Sequence, residues 1–278
     1  MMPVHAIDVR DTRLAVHTAG SGLPLLLLHA FPLDHRMWER QAPLADHLRL
    51  IAPDLRGFGQ SAAAPPESIA QLADDAVALL DALHVTGRAV ICGISMGGYV
   101  AQHVAARHPE RVAAVVLVDT KLEADTPEAR AGRADLAGKV GRVGQAILAD
   151  AMIPRLLAVP PAADAVAKGR RAEIEATLRQ IIGEQRVSTI QSALAALGDR
   201  PDMTDAMRRM HAPTLLVVGA DDAITPPACL EAAEEIMPDA RLLVVPGAGH
   251  MTPLEAADVF NSAVLRFLVE ARVADRLA

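Results

Sequence analysis

The stretch that most constrains this chain is Arg88 to His108, RAVICGISMGGYVAQHVAARH. Ala89 to Cys92 is a short apolar run with the length and β-branched content of a buried strand. Further on, Val100, Val104, Ala101 and Ala105 share one helical face. Between them lies Gly93-Ile94-Ser95-Met96-Gly97-Gly98, a G-x-S-x-G motif in a strand–turn–helix setting. So tight a turn strains the backbone of its serine and makes the hydroxyl project from the sheet. The glycines two positions to either side let strand and helix approach without Cβ clashes. Average glycine usage and the few serines here would produce roughly 0.03 such motifs by chance. Ser95 is therefore read as a nucleophile and not as a coincidental turn residue.

A chain of 278 residues accommodates one large α/β domain, with or without an insertion. Aromatics make up only 2% of it, so the core must be built from Ala, Leu, Val and Ile, with few rings to stack on a ligand. The net charge of −7, with no block of like charge, argues against nucleic acid or an anionic membrane as the main partner. The start of the chain has no basic-then-apolar pattern. No apolar run approaches the roughly 18 residues of a membrane span, and a soluble cytoplasmic protein is expected. Cys92 and Cys229 are too few for a disulfide framework and read as reduced residues of the interior.

In chain order, Val4 to Val9 and Thr12 to Thr18 alternate around Arg10-Asp11 as an opening hairpin, and Leu25 to Leu28 reads as a buried strand. Trp38, Leu44, Ala45 and Leu48 mark a helix, Leu50 to Ala52 a short strand, Asp54 to Ser61 a glycine-bearing loop, and Ser68 to His84 a second helix. The strand Val112 to Val118 follows the Ser95 unit. From Lys121 to about Arg209 no strand-like run appears. Ile174, Leu178, Ile181 and Ile182 form a stripe ending before Gly183; Val187, Ile190, Leu194 and Leu197 form another, ended by Gly198 to Pro201. Alternation resumes with Thr214 to Val218, a helix from about Pro227 to Met237, Arg241 to Val245 and a final helix from Pro253. Strands alternating with helices argue a mostly parallel sheet covered on both faces.

A serine hydroxyl needs a base within hydrogen-bond reach. In strand–elbow–helix enzymes the partners follow in the order serine, acid, histidine. Of ten histidines only His250, in Pro246-Gly247-Ala248-Gly249-His250, lies beyond the last strand. The acid, which must orient the imidazole, is sought after the strand Thr214 to Val218, where Asp221 and Asp222 stand side by side.

At this point the chain resembles the α/β-hydrolase family, through LLLLHAFP, APDLRGFGQS, CGISMGGYVAQHVAARHPERV, VVGADDAITPP and PGAGHMTPLE. The resemblance covers most of residues 20–120 and 210–270 and is weak between them. It implies Asp222 as the acid, three residues before Thr225-Pro226, with Asp221 a polar loop residue. Asp119 is a rival, because some members place the acid at the end of the preceding strand. One oxyanion donor is the amide of Met96, just after the nucleophile at a helix N-terminus. The resemblance implies the amide of Phe31 as the other. Here the family's usual His-Gly pair is His29-Ala30, a departure that narrows backbone freedom before Phe31, and His29 itself reads as structural.

Two decoys are set aside. Gly57 to Ala62 matches G-x-G-x-x-A, but Ala-Ala-Pro-Pro follows and not a helix whose N-terminus could take a pyrophosphate. No H-E-x-x-H or C-x-x-C occurs, so neither metal nor cofactor is expected.

The resemblance implies a mostly parallel, eight-stranded α/β-hydrolase core over residues 1–119 and 210–278, with an inserted helical lid, or cap, over 120–209. Through HAFPLDHRMW and CGISMGGYVAQ the chain looks similar to small bacterial carboxylesterases and 3-oxoadipate enol-lactonases. That implies a serine hydrolase for small, short-chain carboxylic esters, with Ser95, Asp222 and His250 as its catalytic residues. An enol-lactonase, a carbon–carbon bond hydrolase and a cofactor-free perhydrolase would use the same three groups. A non-turnover ligand receptor on this fold is the alternative of a different class. The oligomeric state is left open.

Overall fold

The computed structural model describes residues 4–273. Eight strands form one sheet: β1 (Val4–Val9), β2 (Thr12–Ala19), β3 (Pro24–Leu28), β4 (Arg49–Pro53), β5 (Ala89–Ile94), β6 (Val112–Val118), β7 (Thr214–Gly219) and β8 (Ala240–Val245). Their order across the sheet is β1-β2-β4-β3-β5-β6-β7-β8. β1 and β2 form the antiparallel hairpin, β2 pairs antiparallel with β4, and every pairing from β4 to β8 is parallel. Parallel strands have both faces covered, which is why β5 and β7 are buried at every residue. The β3 run Leu25–Leu28 is fully buried as well.

Helices α1 (Ile69–Ala82) and α2 (Met96–Arg107) pack against each other beside this sheet. Ser68 caps α1 by accepting the amide of Gln71 through its side chain (3.1 Å). The helix expected around Trp38 is a series of 3₁₀ turns, His35–Asp46. Pro43 lies inside it, and a proline ring there clashes with the carbonyl four residues back, which rules out regular α-helix. Trp38 is fully buried, its ring centroid 6.3 Å from that of Phe260.

Between β6 and β7 the chain builds five helices: α3 (Pro127–Val143), α4 (Ala146–Leu156), α5 (Ala165–Glu184), α6 (Val187–Gly198) and α7 (Thr204–Arg208). α3 packs on α6 and α4 on α5; α4, α5 and α6 bury apolar stripes, while α3 buries only Val140. α5 runs through Gly183, where expectation ended it, because that position is open and a Cβ-free residue costs a helix only about 1 kcal/mol. The corner between α5 and α6 is pinned to the loop after β4. Gln185 accepts the amide of Gly59 (2.9 Å) and donates to Asp34 Oδ2 (3.1 Å). Thr189 Oγ1 and Arg186 Nη1 both donate to the carbonyl of Gly57 (2.9 and 2.8 Å).

After β7 come α8 (Ala228–Ile236), α9 (Thr252–Glu255) and α10 (Ala257–Glu270). The final helix is thus two pieces, broken where Ala256 adopts φ −130°. No described helix is long and apolar enough to cross a membrane.

Candidate active site

The carboxyl ends of β5, β6 and β7 and the loop after β8 converge on Ser95. Its φ of +52° is a conformation L-residues rarely adopt, and its amide donates to Val118 O (2.9 Å). A Cβ on Gly93 would run into the carbonyl of Gly97, and one on Gly97 into the carbonyl of Leu28. Thr120 stands where a Cβ on Gly98 would fall and donates to Ser95 O (3.1 Å). The motif glycines are therefore required by packing around a turn whose serine is only partly exposed.

His250 Nε2 lies 2.9 Å from Ser95 Oγ, and His250 Nδ1 lies 2.8 Å from Asp222 Oδ2. With Asp222 ionised, Nδ1 carries the proton and donates to it, leaving Nε2 to accept from the serine hydroxyl. Asp222 Oδ1 accepts the amides of Ile224 (2.7 Å) and Thr225 (3.0 Å), and Oδ2 also accepts the Thr225 hydroxyl (2.8 Å). Burial opposes its charge, but the bonds from His250 and these amides outweigh that and hold the carboxyl below its usual range. Asp221 stays exposed beside it.

Asp119, also at positive φ (42°), does not reach the imidazole by a hydrogen bond. Its oxygens take the amide of Gly219 and both the amide and hydroxyl of Thr252. Burial pushes its carboxyl up to about 7, against the pull of the nearby His250.

Met96 opens α2, so its amide is among those a helix leaves without an internal partner. The carbonyls of Leu28 and His29 press on Gly97, which brings the loop carrying Phe31 alongside the start of α2. His29 is fully buried: Nδ1 donates to Ala30 O (2.9 Å) and Nε2 accepts the amide of Leu55 (3.0 Å). Burial pushes its pKa down, consistent with a neutral ring bracing two loops. Gly57 to Ala62 bends around Asp54, which accepts the amide of Gln60 (2.7 Å), and the next helix begins only at Ile69.

One cluster had no motif to announce it. His17, His35 and Asp54 bring potential metal-ligating atoms within 4.8 Å of one another. The two imidazoles stack with centroids 3.3 Å apart and planes 8° from parallel, while His35 Nδ1 bonds Asp54 Oδ1 (2.6 Å). Lone pairs lying in two parallel planes cannot both point at one ion about 2.0 Å away, so the cluster is a brace for the 54–61 loop.

The chain belongs to the alpha/beta hydrolase family, whose pattern matches residues 25–263. It is a hydrolase by that membership and by its relatives. It is similar to a thermophilic esterase from Thermogutta terrifontis, solved with malate bound, at TM-score 0.90 and 36% identity over 97% of this chain and 99% of that one. It is 30% identical to 3-oxoadipate enol-lactonase 2 of Acinetobacter baylyi, over 93% of this chain and 94% of that protein. It is 35% identical, over 89% of its own length, to the dihydrolipoyllysine-residue acetyltransferase component of an acetoin cleaving system of Pseudomonas putida, of which it spans only 64%.

Proposed function

We propose that this hydrolase is a serine esterase cleaving short-chain carboxylic esters through an acyl-enzyme. The observation that carries the reading is the unbroken relay from Ser95 Oγ through both ring nitrogens of His250 to Asp222. Ser95 attacks the ester carbonyl as His250 takes its proton; His250 then returns that proton to the departing alcohol. A water activated by the same imidazole releases the acid. Asp222 fixes the tautomer and stabilises the imidazolium. The amides of Met96 and Phe31 receive the negative charge of the tetrahedral oxygen, each such donor typically worth ~10²–10³ in rate. The helices between β6 and β7, with their buried Ile, Leu and Ala side chains, act as a lid framing a small apolar acyl pocket. The enzyme is taken to work in the cytoplasm, without metal or cofactor.

Purified protein assayed on p-nitrophenyl esters of increasing acyl length tests this, with an enol-lactone in the panel because of the enol-lactonase relative. Many turnovers per molecule, greatest on short chains, and a loss of about 10⁶-fold in kcat in Ser95→Ala are expected. Preference for the lactone would move the substrate class. A single slow turnover, with ligands only raising the melting temperature, would make the chain a receptor.

A further inference from the structure

Behind the His250 loop lies a carboxylate that the relay leaves unused. Glu255 closes α9 and its side chain turns back onto that loop. Oε1 accepts the amides of Gly249 (2.8 Å) and Met251 (3.3 Å), the two neighbours of His250. Oε2 accepts the amide of Ala158 (2.7 Å), in the segment that follows α4 in the helical insertion. The amide of His250 itself donates to Leu156 O (2.8 Å), at the end of α4. Three consecutive amides, 249 to 251, are thus fastened by Glu255 and by the insertion. The insertion segment is held in turn by Arg171, which donates to the carbonyls of Leu157 (2.7 Å) and Ala158. A Cβ on Gly249 would stand 2.7 Å from Ala158 N and 2.9 Å from Leu156 O, so the two segments meet with no space between them. Burial raises the pKa of the half-buried Glu255 against the pull of these amides.

We propose that Glu255 is a positioning residue for the base: its carboxylate sets the main chain that carries His250 and, through Ala158, locks that chain to the helical insertion. The inference rests on Ser95 and His250 acting as nucleophile and base, as proposed above. Docking of the insertion and alignment of the imidazole are then one event, because the same carboxylate completes both. A displacement of about 1 Å at the reacting groups can cost about 100-fold in rate.

The test follows phosphonylation of Ser95 by a fluorophosphonate, read by intact mass, together with kcat on p-nitrophenyl acetate per titrated site. Phosphonylation needs the nucleophile and its base but no knowledge of the natural substrate. Glu255→Ala removes both acceptor oxygens, and with them all three hydrogen bonds, and is expected to slow both reactions about 100-fold. In Glu255→Gln the carbonyl oxygen still serves Gly249 and Met251, while the amide NH₂ faces the Ala158 N–H. A smaller loss, about 10-fold, is expected there. In a His250→Ala background Glu255→Gln should change the residual rate by less than about 2-fold, since both act through one group. Equal losses in the two backgrounds, or a lowered melting temperature with unchanged rate per site in Glu255→Gln, would overturn the proposal. If Glu255→Ala does not fold, Glu255→Gln decides alone. Phosphonylation that follows this pattern in a protein inert towards p-nitrophenyl esters would support the role of Glu255 and remove the ester reading. A wild-type Ser95 that takes no phosphonate would overturn both.

Discussion

Asp119 and Thr252 are joined twice, the amide to Oδ2 and the hydroxyl to Oδ1, each at 2.9 Å. With Gly219 N also on Oδ1 (3.0 Å), Asp119 fastens the end of β6 to the end of β7 and to the turn just after His250. The family resemblance made this residue the rival for the acid. The coordinates give it a different set of partners and give the imidazole to Asp222.

Asp222→Asn is expected to lower kcat on the order of 10⁴-fold while leaving the fold intact, because an amide there favours the wrong imidazole tautomer. Asp119→Asn should cost far less in kcat. Side-by-side kinetics and circular dichroism check this, and a larger loss in Asp119→Asn would reverse the assignment.

Stability should carry a pH signature of Asp119. Its folded pKa is raised from 3.8 to about 7, with burial as the leading cause. Between those values the folded chain holds a proton that the unfolded chain has released, so this group's contribution to stability falls as pH rises. The stability advantage of wild type over Asp119→Asn should therefore shrink from about pH 4 to about pH 7. Urea unfolding of both proteins across that window measures it, and an advantage that grows would contradict the shift.

Within the insertion, Asp125 pairs with Arg200 (2.7 Å), both side chains only 2% exposed, and also with Arg133 (2.5 Å). Asp125→Ala leaves Arg200 as a buried unpaired charge and should cost about 3–5 kcal/mol. Asp199 pairs with Arg130 in the open, and Asp199→Ala should cost about 0–1 kcal/mol. Chemical denaturation of the two variants gives the comparison.

The elbow can be probed through its glycines. A Cβ on Gly97 meets the Leu28 carbonyl, whereas Gly87 has nothing within 4 Å. Gly97→Ala should lose about 3 kcal/mol or more, or fail to accumulate. Gly87→Ala should stay within about 0.5 kcal/mol of wild type. Thermal melts and soluble yields report both.

The inner parallel strands were legible because they are continuous apolar runs. Ser95 was legible from its motif and His250 from chain order, whereas the choice of Asp222 over Asp221 and Asp119 came only from the family resemblance. Features set by distant backbone were not. Pro43 turns an apparent α-helix into 3₁₀ turns, and Ala256 breaks the last helix without any breaker residue. Gly183 is exposed and open, so it did not stop α5. His17, His35 and Asp54 meet only because β2, the 3₁₀ segment and the loop after β4 are neighbours in space. Glu255 looked like one more carboxylate in a final helix, because its partners are amides, and an amide leaves no mark on residue identity.

Trp38, the sole tryptophan, sits beside Phe260 in the core, and residues 120–209 contain no tryptophan, tyrosine or phenylalanine at all. The molecule therefore carries its own optical partition. Tryptophan fluorescence arises from Trp38 beside the sheet, while far-ultraviolet ellipticity also counts α3 to α7. Loss of ellipticity ahead of the tryptophan signal on heating would be the direct signature of the inserted helices melting first.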